Sequence, residues 1–399
     1  MVTDRKKIEE ILDRGIIKQI LPSREEFVNA LASGKQLKFY VGADPTGTSL
    51  HLSHAKNFML LEEFRKLGHK VYVLFGDFTA CIGDPSDRAS ARTALSRDKA
   101  RDNAKCWVDN IKAIINFDDP ENPAEVVFNS QWLDKLTPLD LMELFSHSTV
   151  QRMIERDMFQ KRIAENRPIF LNEFLYPMFQ GYDSVALDVD VELCGTDQIF
   201  NSLTGRDLIK TYKDKEKFVV AVNLMENPVT GELMSKSQGT GVFLGTNAET
   251  MFGQIMSLPD EMIEILLIND TRVPLEKIKE LDIANKPMDA KLFTAKEITR
   301  IFYGDEAEVA YNNFINTFRN KSFPDDAPVV NMGQDEFKLI DMLIKCMPEK
   351  SKSEIRRLLT QNAVSVNGEK CSGENQVLNV RESHLEIKVG KKSFFKIEK

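Results

Sequence analysis

Two short clusters stand out among the residues able to do chemistry. The first is His51-Leu52-Ser53-His54. Two imidazoles three positions apart, at the start of a helix, share one face near backbone N–H groups that have no helical partner and a positive dipole end. Such a place favours an anion, and imidazole donors would add hydrogen bonds to phosphate oxygens. The second is Leu233-Met234-Ser235-Lys236-Ser237, followed by Gln238-Gly239, in the polar stretch NPVTGELMSKSQGTG. A loop with one ammonium and two hydroxyls can close over a triphosphate and stabilise the charge that develops on leaving pyrophosphate. Each cluster also has an ordinary reading: HxxH occurs in many helices, and MSKS suits a solvated loop.

The elements around the first cluster are those a nucleotide site needs. LKFYVG is a β-prone run, ADPTGTS is rich in turn residues, and HLSHAKNFMLLEEFRKLG carries a wide apolar arc. Ser49 is the expected N-cap of that helix, and Gly68 lies just past its end. HKVYVLFG then reads as a strand. Strand–helix–strand over 37–75 predicts a parallel α/β sheet. DVDVELCG and KFVVAVNLM add strands near 188–195 and 217–225. The pattern is helical from about 247 to 320, and SFPDDAPVVNMG reads as a linker. In the last part SKSEIRRLLTQ reads as a capped helix, AVSVNGEKC as a hairpin turning at Asn367-Gly368, and HLEIKVGKKSFFKI as two strands around Gly390.

Bulk properties bound the partners. A length of 399 residues implies two or three domains. No stretch approaches the ~20 apolar residues of a membrane span, and the N-terminus lacks the apolar stretch of a secretory signal. The five cysteines are scattered without CxxC spacing, as expected of a reduced cytoplasmic protein. Net charge is −8, yet residues 350–399 hold 11 Lys and Arg against 6 Asp and Glu. An acidic body with a basic tail is compatible with RNA binding by the tail, and equally with plain surface heterogeneity.

Taken together, an HxGH-like pair on the first helix of a parallel sheet and a downstream MSKS loop resemble the class I aminoacyl-tRNA synthetases. Ser53 stands where that family usually has glycine, and Leu233 where it usually has lysine. The glycine lets an adenine ring lie against the helix, so Ser53 is expected to tighten that contact. The missing lysine removes a phosphate-facing charge, for which Arg88 or Arg92 offers partial replacement. Three further segments, Tyr40-Val41-Gly42-Ala43-Asp44-Pro45-Thr46, Tyr176-Pro177-Met178-Phe179-Gln180-Gly181-Tyr182-Asp183 and Gly195-Thr196-Asp197-Gln198, resemble the bacterial-type tyrosyl-tRNA synthetases. The likeness runs through essentially the whole chain.

The resemblance implies a Rossmann-like parallel-sheet catalytic domain over 1–246, an all-α anticodon-binding domain over 247–321, a linker at 322–335 and a small α+β RNA-binding domain over 336–399. It assigns Tyr40 and Asp183 to a substrate phenol. A phenol both donates and accepts, and a pocket built for both would leave unpaired groups around phenylalanine. Tyr176, Gln180 and Asp84, with Thr79 beside them, would hold the substrate ammonium. Gly42, Asp44 and Thr46 would wrap the adenylate and phosphates, and Gly195, Asp197 and Gln198 would face ribose and the tyrosine substrate. His51, His54, Thr46, Lys236, Arg88 and Arg92 would stabilise the transferring charge, with Ser237 beside Lys236. Arg356, Arg357, Lys391 and Lys392 would meet RNA phosphates. The implied partners are ATP with Mg2+ but no protein ligand to the metal, L-tyrosine, tRNA(Tyr) and a second copy of the chain. A tryptophanyl-type enzyme, a non-enzymatic RNA-binding role and a simple nucleotidyltransferase are the rival readings; the pairing of Tyr40 with Asp183 argues against the first.

Overall fold

The computed structural model describes residues 1–85, 95–234, 241–319, 323, 327–371, 373, 376–380, 384–390 and 393–399. The chain forms two compact units, Met1–Ala307 and Glu308–Lys399.

The first unit is built on six strands: β1 (Ile17–Leu21), β2 (Lys38–Ala43), β3 (Lys70–Phe75), β4 (Glu125–Phe128), β5 (Val191–Gly195) and β6 (Phe218–Val222). They lie in the order β1-β6-β5-β2-β3-β4. Five are parallel, and β1 runs antiparallel along β6. From β2 the chain winds outward through β3 to β4, then returns to the other side of β2 as β5. The sheet therefore has a switch point between the carboxyl ends of β2 and β5, where open α/β sheets leave a crevice for ligands.

The helix Leu52–Lys66 joins β2 to β3. It buries Leu52, Ala55, Phe58, Met59, Leu60, Leu61 and Phe64, each contributing roughly 1.5–3 kcal/mol if it is large and fully covered. Phe64 stacks on Phe39 of β2 with centroids 4.6 Å apart. The helix ends as expected. Gly68, at φ +100°, donates to the Arg65 carbonyl, and the next amide, of His69, reaches back to Phe64, which is the two-bond pattern that a left-handed residue allows. Its start differs from expectation. The N-cap is His51 at φ −133°, ψ 171°, not Ser49. The backbone before the helix is engaged elsewhere: His51 bridges to Phe243, and Leu52 N–H donates to the Val242 carbonyl.

Helices Leu171–Leu187 and Ile199–Lys213 cross closely beside the sheet. Gly181 makes the approach possible, because a Cβ there would stand 2.8 Å from Leu208 Cδ1 and 3.1 Å from the Gly205 amide nitrogen. Helices Ala248–Ser257, Ile263–Asp270, Leu275–Glu280 and Pro287–Tyr303 complete the unit. The Arg14 guanidinium binds the carbonyls of Leu267, Ile268, Thr271 and Val273, and Asn223 and Asn269 exchange amide hydrogen bonds at 3.1 Å. These bonds fasten the helical segment to the sheet, so the expected boundary at 246/247 lies inside the first compact unit.

The second unit has the helices Leu339–Cys346 and Lys352–Thr360, the latter opened by a Ser351–Glu354 capping box. Its strands are β7 (Val329–Asn331), β8 (Glu336–Lys338), β9 (Val364–Val366), β10 (Glu369–Cys371), β11 (Val377–Asn379), β12 (Leu385–Val389) and β13 (Ser393–Glu398). Five form a sheet ordered β10-β9-β12-β13-β7, and β8 pairs with β11. Asn367 and Gly368, both at positive φ, turn the β9–β10 hairpin. Val329–Asn331, inside the stretch expected as a linker, is a strand paired to β13.

Candidate active site

Asp44, one residue beyond β2, is the hub of the crevice. Its Oδ1 accepts from Thr79 Oγ1 at 2.6 Å and its Oδ2 from the Tyr176 hydroxyl at 3.0 Å. Gly76 makes that clamp possible, since a Cβ there would fall 2.0 Å from Asp44 Oδ1 and 2.1 Å from Thr79 Oγ1. Asp44 was expected beside the nucleotide; its bonds place it with Thr79 and Tyr176, the residues expected at the ammonium. Because Tyr176 donates to Asp44, its oxygen keeps a lone pair that can accept from a cation.

A second chain of amides closes the same side. Gln198 Nε2 donates to Asp84 Oδ2 at 2.8 Å. Asn201 Nδ2 donates to Gln198 Oε1 at 2.8 Å and to Gln180 Oε1 at 2.9 Å, and Gln180 Nε2 donates to Glu192 Oε1 at 3.3 Å. Asp44 and Tyr176 thus belong to one hydrogen-bonded group, and Asp84, Gln180 and Gln198 to another whose Asp84 charge is felt by Asp44. Burial pushes the Asp44 carboxyl up to about 7, with Asp84 and Asp77 adding to the rise while the Thr79 and Tyr176 hydroxyls oppose it. An ammonium arriving there would reverse that rise.

Tyr40 and Asp183 form the deep end, and both are buried. Trp132 Nε1 donates to Asp183 Oδ1 at 2.8 Å, and Asn129 Nδ2 approaches Oδ2 at 3.4 Å while also donating to Thr79 Oγ1 at 3.0 Å. Burial raises the Asp183 carboxyl well above the ordinary carboxylate range, against the pull of those two donors. The Tyr40 hydroxyl lies 3.1 Å from Ser184 Oγ. Burial first, then Glu192 and Asp183, raise its pKa well above the usual phenol value, so it stays protonated.

The histidines stand at the opposite side of the β2–helix connection. Their ring centroids are 4.1 Å apart, and Ser53 Oγ lies 2.6 Å from His51 Nδ1. Burial, then the neighbouring His51 and Lys56, lower the His54 pKa to about 3, so it works as a neutral imidazole. The helix Arg97–Ile111 steadies the connection: Asn103 Nδ2 donates to the Pro45 carbonyl and Trp107 Nε1 to the Gly47 carbonyl. Gly42 and Thr46 are exposed on this connection. Gly195 ends β5 with the Asp197 carboxylate folded over it, 2.3 Å from where a Cβ would stand, and Asp197 is exposed on the turn that follows. Nearby, Met234 N–H donates to the Met225 carbonyl and Leu52 N–H to that of Val242.

Arg88, Arg92, Lys236, Ser237, Lys391 and Lys392 lie outside the described residues. Arg356 and Arg357 are exposed on the helix Lys352–Thr360 of the second unit. Sequence reading missed Gly76, Asn129, Trp132, Ser184, Glu192, Asn201 and Lys217. Gly76 had a signal, a glycine ending a strand beside the crevice; the others became visible only when the fold joined distant segments.

The comparisons with known proteins match this geometry. Residues 32–319 match the family model of class I tRNA synthetases (W and Y), and residues 320–397 that of the tyrosine–tRNA ligase SYY-like C-terminal domain. The chain is 40% identical to the tyrosine–tRNA ligase of Carboxydothermus hydrogenoformans, over 99% of this chain and 98% of that one. It is 38% identical to that of Thermotoga maritima, over 97% and 96%. The fold is shared with the C-terminally truncated mitochondrial tyrosyl-tRNA synthetase of Aspergillus nidulans, at TM-score 0.65 and 21% identity over 78% of this chain and 94% of that one. It is shared too with the Archaeoglobus fulgidus tyrosyl-tRNA synthetase solved with L-tyrosine, at TM-score 0.59 and 18% identity over 76% and 99%. With the switch-point crevice, the histidine pair and matches of this extent in hand, the chain belongs to the class I tRNA synthetases and, within them, to the tyrosine–tRNA ligases.

Proposed function

We propose that the chain joins L-tyrosine to ATP, taken as its Mg2+ complex, to give tyrosyl-adenylate and pyrophosphate, and then passes the tyrosyl group to tRNA(Tyr). In the first step the tyrosine carboxylate attacks the α-phosphorus and pyrophosphate leaves. In the second, a ribose hydroxyl of the terminal adenosine attacks the adenylate carbonyl and AMP leaves. No side-chain nucleophile is required, so catalysis is positioning and charge stabilisation.

Tyr40 and Asp183 take the phenol. Asp44, Thr79, Asp84, Tyr176, Gln180 and Gln198 take the ammonium, and this cluster leaves the carboxylate directed at the nucleotide. Gly42, Gly195 and Asp197 border the adenylate, with Asp197 accepting from ribose hydroxyls. His51, His54, Thr46, Arg88, Arg92, Lys236 and Ser237 serve the phosphates. Arg356, Arg357, Lys391 and Lys392, with the helical segment 247–321, hold the RNA through its phosphates. A homodimer is supported by exposed apolar side chains on successive helices: Leu139, Met142, Val150, Ile163, Phe170 and Leu171.

The Asp44 clamp carries this reading, because its two hydroxyl donors make a carboxylate site that suits an ammonium at the switch point. Amino-acid-dependent ATP–pyrophosphate exchange tests it. Tyrosine is expected to support exchange while tryptophan and phenylalanine do so weakly, and exchange indifferent to tyrosine would overturn the assignment.

A further inference from the structure

Lys217, which directly precedes β6, is wholly buried, together with Ser184, Glu192 and Tyr40. Its ammonium forms an ion pair with Glu192 and donates to Ser184 Oγ at 2.9 Å. It stands 6.0 Å from the centre of the Tyr40 ring. The fold keeps room for it: a Cβ on Gly205 would lie 2.7 Å from Lys217 Nζ and 2.8 Å from Ser184 Oγ. Glycine at this point of the helix Ile199–Lys213 costs helix stability, and the space it leaves is filled by the ammonium.

We infer that Lys217 is a positioning residue for substrate selection, fixing which way hydrogen bonds run at the phenol end of the pocket. The step from geometry to selectivity rests on the inventory of protons. An ammonium only donates, so Ser184 Oγ must accept from it. The Ser184 proton is then available to the Tyr40 oxygen 3.1 Å away. Glu192 is the other group beside Tyr40 that could take its proton. Glu192 already accepts from Lys217 on one oxygen and from Gln180 Nε2 on the other. Both donors compete with the Tyr40 hydroxyl for Glu192 and weaken its hold there, so the Tyr40 O–H can turn to an arriving phenol in the pocket, where Asp183 stands as acceptor. A phenol that accepts from Tyr40 and donates to Asp183 satisfies both; phenylalanine satisfies neither, and unpaired buried groups are costly. Removing the ammonium leaves Glu192 unmatched, and Glu192 then draws the Tyr40 proton out of the pocket.

This inference rests on the assignment of Tyr40 and Asp183 to the phenol, and the experiment separates the two. Lys217→Met alone strands a buried carboxylate and Glu192→Gln alone a buried ammonium, and either endangers folding. The comparison is therefore between the unmodified chain and Lys217→Met/Glu192→Gln, which has neither charge. Exchange is measured with tyrosine and with phenylalanine for both, beside Tyr40→Phe and Asp183→Asn. Expected is a tyrosine:phenylalanine ratio of kcat/KM about tenfold or more lower in the double variant than in the unmodified chain, with KM for ATP unchanged. A loss of packing alone would not move that ratio selectively. Equal ratios in the unmodified chain and the double variant, with Asp183→Asn and Tyr40→Phe strongly reduced, overturn the role of Lys217 and leave the pocket assignment standing. Ratios unchanged in Asp183→Asn and Tyr40→Phe overturn both.

Discussion

The two sides of the crevice, assigned by proposal to the amino acid and to the nucleotide, are built differently. On the amino-acid side, Asp44, Asp183, Gln180 and Gln198 are each held by at least one side chain from a distant part of the chain. On the nucleotide side the described groups are tied mostly through backbone: Leu52 to Val242, Leu50 to Leu244, and the carbonyls of Pro45 and Gly47 to Asn103 and Trp107. His54 Nδ1 is buried with no hydrogen-bond partner among the described residues. The difference teaches that selectivity for the amino acid is organised in advance, whereas donors for the phosphates are completed by the nucleotide. A preformed acceptor wall discriminates before chemistry; donors that meet charge only as it develops accelerate chemistry without tightening ground-state binding.

Breaking the nucleotide side should give the largest effect. Lys236→Ala is expected to slow tyrosyl-adenylate formation in single-turnover measurements by about 10²–10³-fold, the usual loss for one transition-state donor. Tyrosine affinity, measured without ATP, should stay within about twofold. A parallel loss of tyrosine affinity would contradict the separation of the two sides.

Asp183→Ala breaks the amino-acid side and should act on selectivity. The Trp132 indole and Asn129 amide lose their acceptor, and the substrate phenol loses its own. The tyrosine:phenylalanine ratio of kcat/KM should fall about 10–100-fold, from ~1–3 kcal/mol per unsatisfied buried group. A retained ratio would remove Asp183 from the phenol site.

Asp44 sharpens the comparison through pH. Its carboxyl is raised to about 7 in the empty site, first by burial. An ammonium needs the ionised form, so tyrosine affinity measured calorimetrically should weaken about tenfold per pH unit below about 7 and level off above it. The sign for stability is the reverse. The folded state keeps a proton from the ordinary 3.8 up to about 7 that the unfolded chain releases, so the stabilisation present at low pH is lost as pH rises through that window. Asp44→Asn should therefore raise Tm at pH 7.5 while abolishing the pH dependence of tyrosine binding. An unchanged Tm together with a retained pH dependence would mean that Asp44 does not titrate there.

What could be read from sequence follows the same division. β2, the helix Leu52–Lys66 and β3 were legible because apolar runs alternate with turn residues and Gly68 marks a helix end. The β9–β10 hairpin was legible from Asn367-Gly368. β4 is only four residues, EVVF, and β1 is a half-polar edge strand, IKQIL, so neither carries a strong periodic signal. Tyr40, Tyr176, Gln180 and Asp183 were legible through their motifs. Asn129 and Trp132 reach Asp183 from more than fifty positions away, and Lys217 reads in KEKFVVAV as a surface charge before a strand. Wiring between distant segments leaves no mark in local pattern, which is why Asn129, Trp132 and Lys217 were missed.

Ser53 offers the smallest and most discriminating test, because it replaces the family's glycine and joins the two sides of its own motif. Its Oγ is 2.6 Å from His51 Nδ1. That bond holds the ring in place through one nitrogen, which a glycine cannot do. Under the proposed nucleotide placement, the same side chain stands where an adenine would lie against the helix. The two effects separate by substitution. Ser53→Ala removes the bond and keeps the Cβ, so kcat for exchange should fall about 3–10-fold, from ~0.5–1.5 kcal/mol, with KM for ATP unchanged. Ser53→Gly removes both, so kcat should fall equally while KM for ATP drops as the helix face opens. If both variants lose nothing in kcat, His51 does not depend on Ser53 for its orientation.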